Sequence, residues 1–412
     1  MDKTVIELFA GVGGFRIGLN NIKTIKYDGT AIENGPWSFV WSNQREPSTK
    51  SQEAFDCYNL RFPDINNINK DISTINKENI PNHALLVGGF PCQDYSVARS
   101  LSNEKGIEGK KGVLWWEIND ILKTKNPPFV LLENVDRLLK SPSKQRGRDF
   151  GIILKCFSDN GYIVTWKVIN AADYGFPQRR RRLFIFAFMN TTNYAKQLLE
   201  SKELEEPLKQ DIFEQTFKSK DYTSKSYGNL NDYENLLEVS NNFKFKFLNT
   251  GIMVNGDIFC CSYEPKKKKP ITLLEILEKN VDEKYYLTPE QIEKFKYLRG
   301  SKKIERINAE GKIYYYSEGA MSEVDKLDLP ARTMLTSEGT VNRSSHIIVD
   351  PETNRIRHLT PLECERLNQF PDNWTNTGIS DRKRYFLMGN ALVCGVIKKL
   401  SKPIAKIIDN EK

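Results

Sequence analysis

Ala84-Leu85-Leu86-Val87-Gly88-Gly89-Phe90-Pro91-Cys92-Gln93 and Phe129-Val130-Leu131-Leu132-Glu133-Asn134-Val135 decide the fold of this 412-residue chain. Each opens with an unbroken apolar run and ends in turn-forming or polar residues. Such runs mark strands buried on both faces, the habit of parallel sheets covered by helices. Open sheets of this kind take their ligands at the carboxyl ends of the strands. Cys92 and Glu133 stand at two such ends, so a thiol and a carboxyl face one crevice, a pair suited to nucleophilic attack with proton transfer. The plainer readings are a small buried core cysteine and an ordinary surface acid. Pro91, which stiffens the turn, and the polar, glycine-containing stretch 93–112, which suits a closing flap, favour a site.

Working outward, apolar runs at 5–9, 39–42, 84–87, 130–132, 163–169 and 183–188 alternate with helical spacing at 52–60, 114–123 and 150–159. That alternation predicts an α/β domain with a mostly parallel sheet over residues 1–189. Residues 190 to about 250 are polar without a clear period, which predicts long loops or irregular structure. Four lysines at 266–269, between Pro265 and Pro270, read as a solvated loop. Short helices are expected at 272–279 and 289–298. Another is expected at 361–368, with Thr360 as N-cap and Glu363 at the capping-box position. A helix-like stretch over 381–400 closes the chain.

The formal net charge is +8, compatible with a nucleic-acid partner and equally with a lysine-rich composition. Seven scattered cysteines form no CxxC pair, which argues against a disulfide framework or a zinc site; no metal is expected. No apolar stretch reaches the length of a membrane span, and the first strand begins too early for a signal peptide, so a cytoplasmic protein is expected.

Two further motifs carry chemistry. Phe9-Ala10-Gly11-Val12-Gly13-Gly14-Phe15 follows the first strand and opens a helix, where glycines let a cofactor approach backbone amides. Its spacing departs from GxGxxG, and a glycine turn is also a common packing device. Gln178-Arg179-Arg180-Arg181-Arg182 precedes an apolar strand. Read alone it is an exposed basic run, but strand alternation turns one pair inward, here Arg180 and Arg182.

Taken together these segments resemble the cytosine-C5 DNA methyltransferases. The resemblance runs through the glycine turn, the Pro-Cys segment, Glu133-Asn134-Val135 and the arginine run. It continues in Leu359-Thr360-Pro361-Leu362-Glu363-Cys364-Glu365-Arg366-Leu367 and ends at Gly389-Asn390-Ala391. It implies a Rossmann-like methyltransferase domain (1–189), an inserted smaller DNA-recognition domain (190–379) and a C-terminal helix (380–412) that returns to the first domain. The methyl donor it implies is S-adenosylmethionine, leaving S-adenosylhomocysteine, and the substrate is double-stranded DNA. By position, Cys92 is the nucleophile, Glu133 the acid at cytosine N3, and Arg180 and Arg182 hold the base and the catalytic loop. Phe9, Ala10, Gly11, Gly13, Gly14, Asp71, Ile72, Phe90, Leu114, Asn390 and Ala391 line the cofactor pocket. Where the family has an acid for the ribose, this chain has Gln44, with Glu46 two residues on, so either can make that contact. Arg45 replaces the aromatic residue that usually follows. DNA contacts are expected from Gln93 and Ser96 in the flap. Others are expected from Arg332, Thr333, Thr336, Ser337, Asn342 and Arg343, around a Thr-Leu-like element at 330–339.

The implied chemistry is addition of the Cys92 thiolate to C6 of a flipped cytosine, activation of C5 towards a sulfonium methyl, and elimination. Three alternatives stand beside it. One is a tRNA methyltransferase of the same fold, for which the 190–350 insert is large. Another is a DNA-binding protein with a decayed site. The third is a nicotinamide oxidoreductase, which leaves the Pro-Cys segment unexplained. The compact layout resembles a bacterial restriction-modification enzyme, with a possible cognate endonuclease and an expected monomeric state.

Overall fold

The computed structural model describes residues 1–90, 114–200, 203–308 and 311–411. A ten-stranded sheet runs through the molecule in the order β3-β2-β1-β4-β5-β7-β6-β9-β10-β8. Its first seven strands are β1 (Thr4–Leu8), β2 (Ser38–Asn43), β3 (Asn67–Ile68), β4 (Leu85–Gly89), β5 (Phe129–Val135), β6 (Tyr162–Asn170) and β7 (Arg181–Met189). Strands β1 to β5 pair in parallel. Strand β7 is reversed between β5 and β6, so β6 keeps the direction of β5. All six predicted strands are present.

The unbroken apolar runs follow from burial on both faces. Along β1, β4 and β5, Val5, Leu85, Val87, Phe129 and Leu131 pack into one core. Their neighbours Ile6, Leu8, Leu86, Val130 and Leu132 pack into the other. Helices α1 (Gly14–Leu19), α2 (Glu53–Arg61), α3 (Leu114–Lys125) and α4 (Arg148–Asp159) connect these strands.

Residues 190–250 are more regular than their composition predicts. They form α5 (Asn193–Leu198), α6 (Glu205–Gln210), α7 (Ile212–Thr216), β8 (Ser219–Asn229) and α8 (Leu236–Asn242), and β9 (Thr250–Val254) and β10 (Asp257–Pro265) follow. Strands β8 to β10 extend the large sheet by antiparallel pairing. The signal was missing because β8 is an edge strand with solvent on much of both faces, so it has no apolar period. The segment before it is pinned from the sheet. The buried Lys167 on β6 donates to Glu214 at 2.7 Å, to the Phe217 carbonyl at 2.9 Å and to Ser219 at 3.0 Å.

The remainder is a smaller assembly around Leu287, Phe295 and Ile347. It holds α9 (Pro289–Arg299) and two ribbons, β11 (Lys302–Ile307) with β12 (Ile313–Glu318) and β13 (Ile347–Val349) with β14 (Ile356–His358). The helix expected at 272–279 is reduced to one 3-10 turn, Leu274–Ile276. Helix α10 (Pro361–Leu367) carries the predicted capping box. The stretch 381–400 is two helices, α11 (Asp381–Asn390) and α12 (Cys394–Asp409), with a joint at 391–393. Helix α12 lies on α1, where a Cβ on Gly18 would come within 2.5 Å of Ile397.

Candidate active site

Strands β1 to β5 all end at one edge, and the glycine turn leaves β1 there. Phe9, Gly11 and Gly13 have φ of 53°, 55° and 88°, a left-handed path that glycine adopts without strain. A Cβ on Gly13 would strike Phe62 at 2.7 Å, so that glycine is required for packing. A Cβ on Gly11 would meet nothing within 4 Å, so the turn opens onto free space there.

The Gly11 amide donates to Gln44 Oε1 at 2.8 Å, and the Ala10 amide donates to the Asn43 carbonyl at 3.1 Å. Gln44 is therefore buried against the turn. The backbone of the half-buried Glu46 is paired to the Gln52 side chain, and Arg45 is exposed. Asp71 is exposed and caps the turn after β3, and Ile72 behind it is buried. Phe90 is buried beside Trp115, 5.8 Å between ring centroids, next to the half-buried Leu114. Asn390 is exposed and Ala391 half-buried at the joint before α12. That joint meets the glycine turn where Leu392 packs 3.1 Å from the Cβ position of Gly14.

Glu133 sits in register with Gly89 across β4 and β5. A Cβ at Gly89 would lie 3.2 Å from Glu133 Oε2, so this glycine leaves the carboxyl its room. Arg182 Nε lies 2.9 Å from Glu133 Oε1. Burial is the largest influence on Glu133 and holds its pKa above the ordinary carboxylate value, while Arg182 and then Arg180 oppose it. Asn134, whose structural part the sequence reading passed over, donates to the Phe90 carbonyl at 2.8 Å. It fixes the exit of β4 beside the acid.

The arginine run alternates as a strand should. Arg179 and Arg181 are exposed, whereas Arg180 is buried and Arg182 half-buried. Arg180 donates to the carbonyls of Met334 at 3.1 Å and Gly389 at 2.9 Å, and its buried Nε has no partner among the described residues. Burial and then neighbouring Arg182 pull its pKa down to about 9. Gln178 completes the bracket, accepting from the Met334 amide at 3.1 Å and donating to Asn368 at 2.9 Å.

The residues expected to read DNA divide into two sets. Thr336 and Asn342 are exposed. Thr333 is turned back, donating to the Arg179 carbonyl at 2.6 Å. The Ser337 carbonyl accepts from Ser345 at 3.0 Å. Arg332 is turned inward: its Nε donates to Asp325 at 2.6 Å and its other nitrogens reach the Ser344 and Ser345 carbonyls, each at 3.2 Å. Arg343 is spent on the carbonyls of Leu298, Gly300 and Gly319. Asp325 with the Ser344 and Ser345 carbonyls draws Arg332 in, whereas Arg343 is held by carbonyls of half-buried and exposed residues and lies 3.5 Å from Glu318. The Arg332 guanidinium, expected at the DNA, is engaged within the protein here.

Cys92, Gln93 and Ser96 lie outside the described residues. The six described cysteines, Cys57, Cys156, Cys260, Cys261, Cys364 and Cys394, are buried and free. Burial pushes their thiols up, to about 12 for Cys57 and about 11 for Cys260, so none of them is primed as a thiolate. Among the described residues no group of three or more His, Cys, Asp or Glu could hold a metal ion, and no helix is long and apolar enough to cross a membrane.

A parallel sheet edge that joins a glycine turn to a half-buried acid and an arginine pair defines an α/β enzyme of the methyltransferase kind. The chain belongs to the C-5 cytosine-specific DNA methylase family, which it matches over residues 3–406. It is 51% identical over 407 residues to the Type II methyltransferase M.Sau3AI of Staphylococcus aureus, covering 98% of this chain and 95% of that one. It is 27% identical to M.SsoII of Shigella sonnei, across 98% and 81% of the two chains. The crystal structure of Spodoptera frugiperda DNMT2 shares its fold, with a TM-score of 0.61 at 16% identity over 99% of each chain. The protein is thus a DNA cytosine-C5 methyltransferase, and its family and fold imply S-adenosylmethionine as the donor.

Proposed function

We propose that this enzyme methylates cytosine within a specific duplex sequence as the modification half of a bacterial Type II restriction-modification system. The similarity to M.Sau3AI over nearly the whole length of both chains supports that setting, as does a family whose description specifies DNA, which favours duplex DNA over tRNA. A monomer acting in the cytoplasm, with a cognate endonuclease as its counterpart, completes the reading.

The observation that carries the chemistry is Glu133, a half-buried acid with a raised pKa held by Arg182 beside Gly89. Cys92 follows the anchored Phe90 by two residues, a chain reach of no more than about 7 Å. In the proposed reaction the Cys92 thiolate bonds to C6 of the target base. The C5–C6 electron pair shifts to C5 while Glu133 gives its proton to N3, and Arg182 keeps the acid aimed. Arg180 acts through the backbone, locking the end of α11 at Gly389 and the segment 330–339 to the arginine run. The open space over Gly11, the fixed Gln44 and the aromatic wall at Phe90 fit an adenosyl group; Phe9 to Gly14, Asp71, Ile72, Leu114, Asn390 and Ala391 belong to the same pocket. When bound there, S-adenosylmethionine supplies a methyl on a positively charged sulfur. The target base must leave the stack to reach this edge, at a cost of a few kcal/mol. Residues 190–379 carry target recognition, through Thr336, Asn342 and their neighbours, with 219–265 also serving as sheet.

Duplex DNA carrying 5-fluorocytosine at the target tests the covalent scheme, because fluorine cannot leave as a cation and the adduct persists. We expect a stable protein–DNA species with S-adenosylmethionine that Cys92→Ser abolishes. Normal methylation without any trapped species would overturn the scheme.

A further inference from the structure

The lysine run 266–269 plays no part in the chemistry above, yet the fold does not leave it as a loose loop. It follows β10 directly, and all four side chains are exposed. Among the described residues none of the four has an ion-pair partner. The backbone beneath is pinned: the Lys268 amide donates to the Asp173 carbonyl at 2.8 Å, and Lys266 donates to that of Lys218 at 2.9 Å. Tyr174 bridges to Lys268 in parallel, and the Tyr174 carbonyl accepts from Lys399 at 2.7 Å. A fifth cation therefore braces the turn that carries the run, close enough for Lys268 to add to the lowering of the Lys399 pKa. Lys218 and Lys220, at the start of β8, are also exposed on this edge, Lys220 with its ammonium 3.4 Å from Glu264.

Strand β10 runs in the same direction as β5, because three reversals (β7, β6, β9) separate them before it turns again. The lysines and Glu133 thus lie on the same edge of one sheet. By the pairing register Glu133 is level with Cys261, so the lysines stand five or more residues, about 17 Å, further out along the strand direction; sideways across the sheet four strand spacings part them, about 19 Å. At 3.4 Å per base pair that is about six base pairs along a duplex.

We propose that 266–269, with Lys218 and Lys220, is a phosphate-binding ledge. It grips the backbone of the substrate duplex about six base pairs from the flipped cytosine, on one side only. The inference rests on duplex DNA being the substrate. Such a contact carries no base information; it lengthens the footprint beyond the recognised sequence and steepens the salt dependence of binding.

The test compares wild type with the variant K266Q/K267Q/K268Q/K269Q, whose changes are all on exposed side chains. The DNA is a duplex with long arms around the target as mapped by bisulfite sequencing, plus two versions with one arm each cut to about three base pairs. We expect the variant to keep its kcat and S-adenosylhomocysteine affinity. On the long duplex its slope of log affinity against log salt should be shallower by about 3 to 4, so that over a fourfold rise in salt the wild type loses on the order of a hundredfold more affinity than the variant. Cutting one particular arm should erase the difference, and cutting the other should preserve it. Equal slopes on the long duplex, or a difference that survives both truncations, would overturn the ledge. Failure of the wild type to methylate any duplex would instead sink the functional reading on which it rests.

Discussion

Glu7 offers the most quantitative test of how the cofactor turn is supported. It lies on β1, fully buried, and Tyr58 donates to one of its oxygens at 3.0 Å, while the other has no partner among the described residues. Burial, the largest influence, raises its pKa from 4.5 to about 7. A folded-state value above the unfolded one means that the protonated acid is the form the fold prefers. Its stability contribution is therefore fully present below the unfolded pKa and is lost as pH rises through about 7. At 1.36 kcal/mol per tenfold change in proton affinity, the loss amounts to about 3 kcal/mol. Glu7→Gln removes the titration and keeps the shape and the Tyr58 partner. Urea denaturation of both proteins at about pH 5.5 and pH 8 should show the variant gaining on the wild type by roughly 2 kcal/mol between the two conditions. All other acids cancel in that comparison, including the buried Asp211, whose pKa is also raised to about 7. A stability difference between variant and wild type that does not move with pH would refute the reasoning.

Arg332→Ala strips one of two arginine partners from Asp325, the other being Arg299 at 2.8 Å. It should cost about 1–3 kcal/mol in thermal or urea denaturation and leave the target sequence unchanged; intact stability with relaxed specificity would return Arg332 to the DNA surface. Gln44→Ala unpairs the Gly11 amide and should weaken S-adenosylhomocysteine binding about tenfold by calorimetry. Gln44→Glu keeps an acceptor there and should bind at least as well as wild type, and a loss equal to that of alanine would separate Gln44 from the pocket. Arg182→Ala removes the nearest charge opposing burial at Glu133, so its pKa rises further; the alkaline limb of the kcat profile should move to higher pH, and an unmoved limb with full turnover would exclude the pairing.

Much of this was legible because the relevant physics is local. The runs at 84–87 and 130–132 read as doubly buried strands, and both faces are indeed covered. The arginine run obeyed a period of two, so Arg180 and Arg182 could be assigned inward from sequence. What escaped is tertiary. Asp325 claims Arg332 from seven residues away, which no spacing rule encodes. Strand β8 has no apolar period because it has only one neighbouring strand and solvent elsewhere. The joint in 381–400 was hidden because Leu392 and Val393 continue the apolar pattern of the helices on either side. Asn134 was visible but silent, since its use depends on the neighbouring strand's carbonyl.

The grip of Arg180 has an evolutionary consequence. It holds the carbonyl of Met334, which every residue type provides, so that bond does not depend on which side chain the segment carries there; at Gly389 a Cβ would come within 2.5 Å of the Thr336 backbone, so only the glycine fits on that side. Segments with unrelated sequences can be exchanged at that clasp without relearning how to dock. On the proposed reading of 190–379 as the target-recognition segment, a lineage can thereby change the DNA word it methylates while the machinery that delivers the methyl group stays as it is.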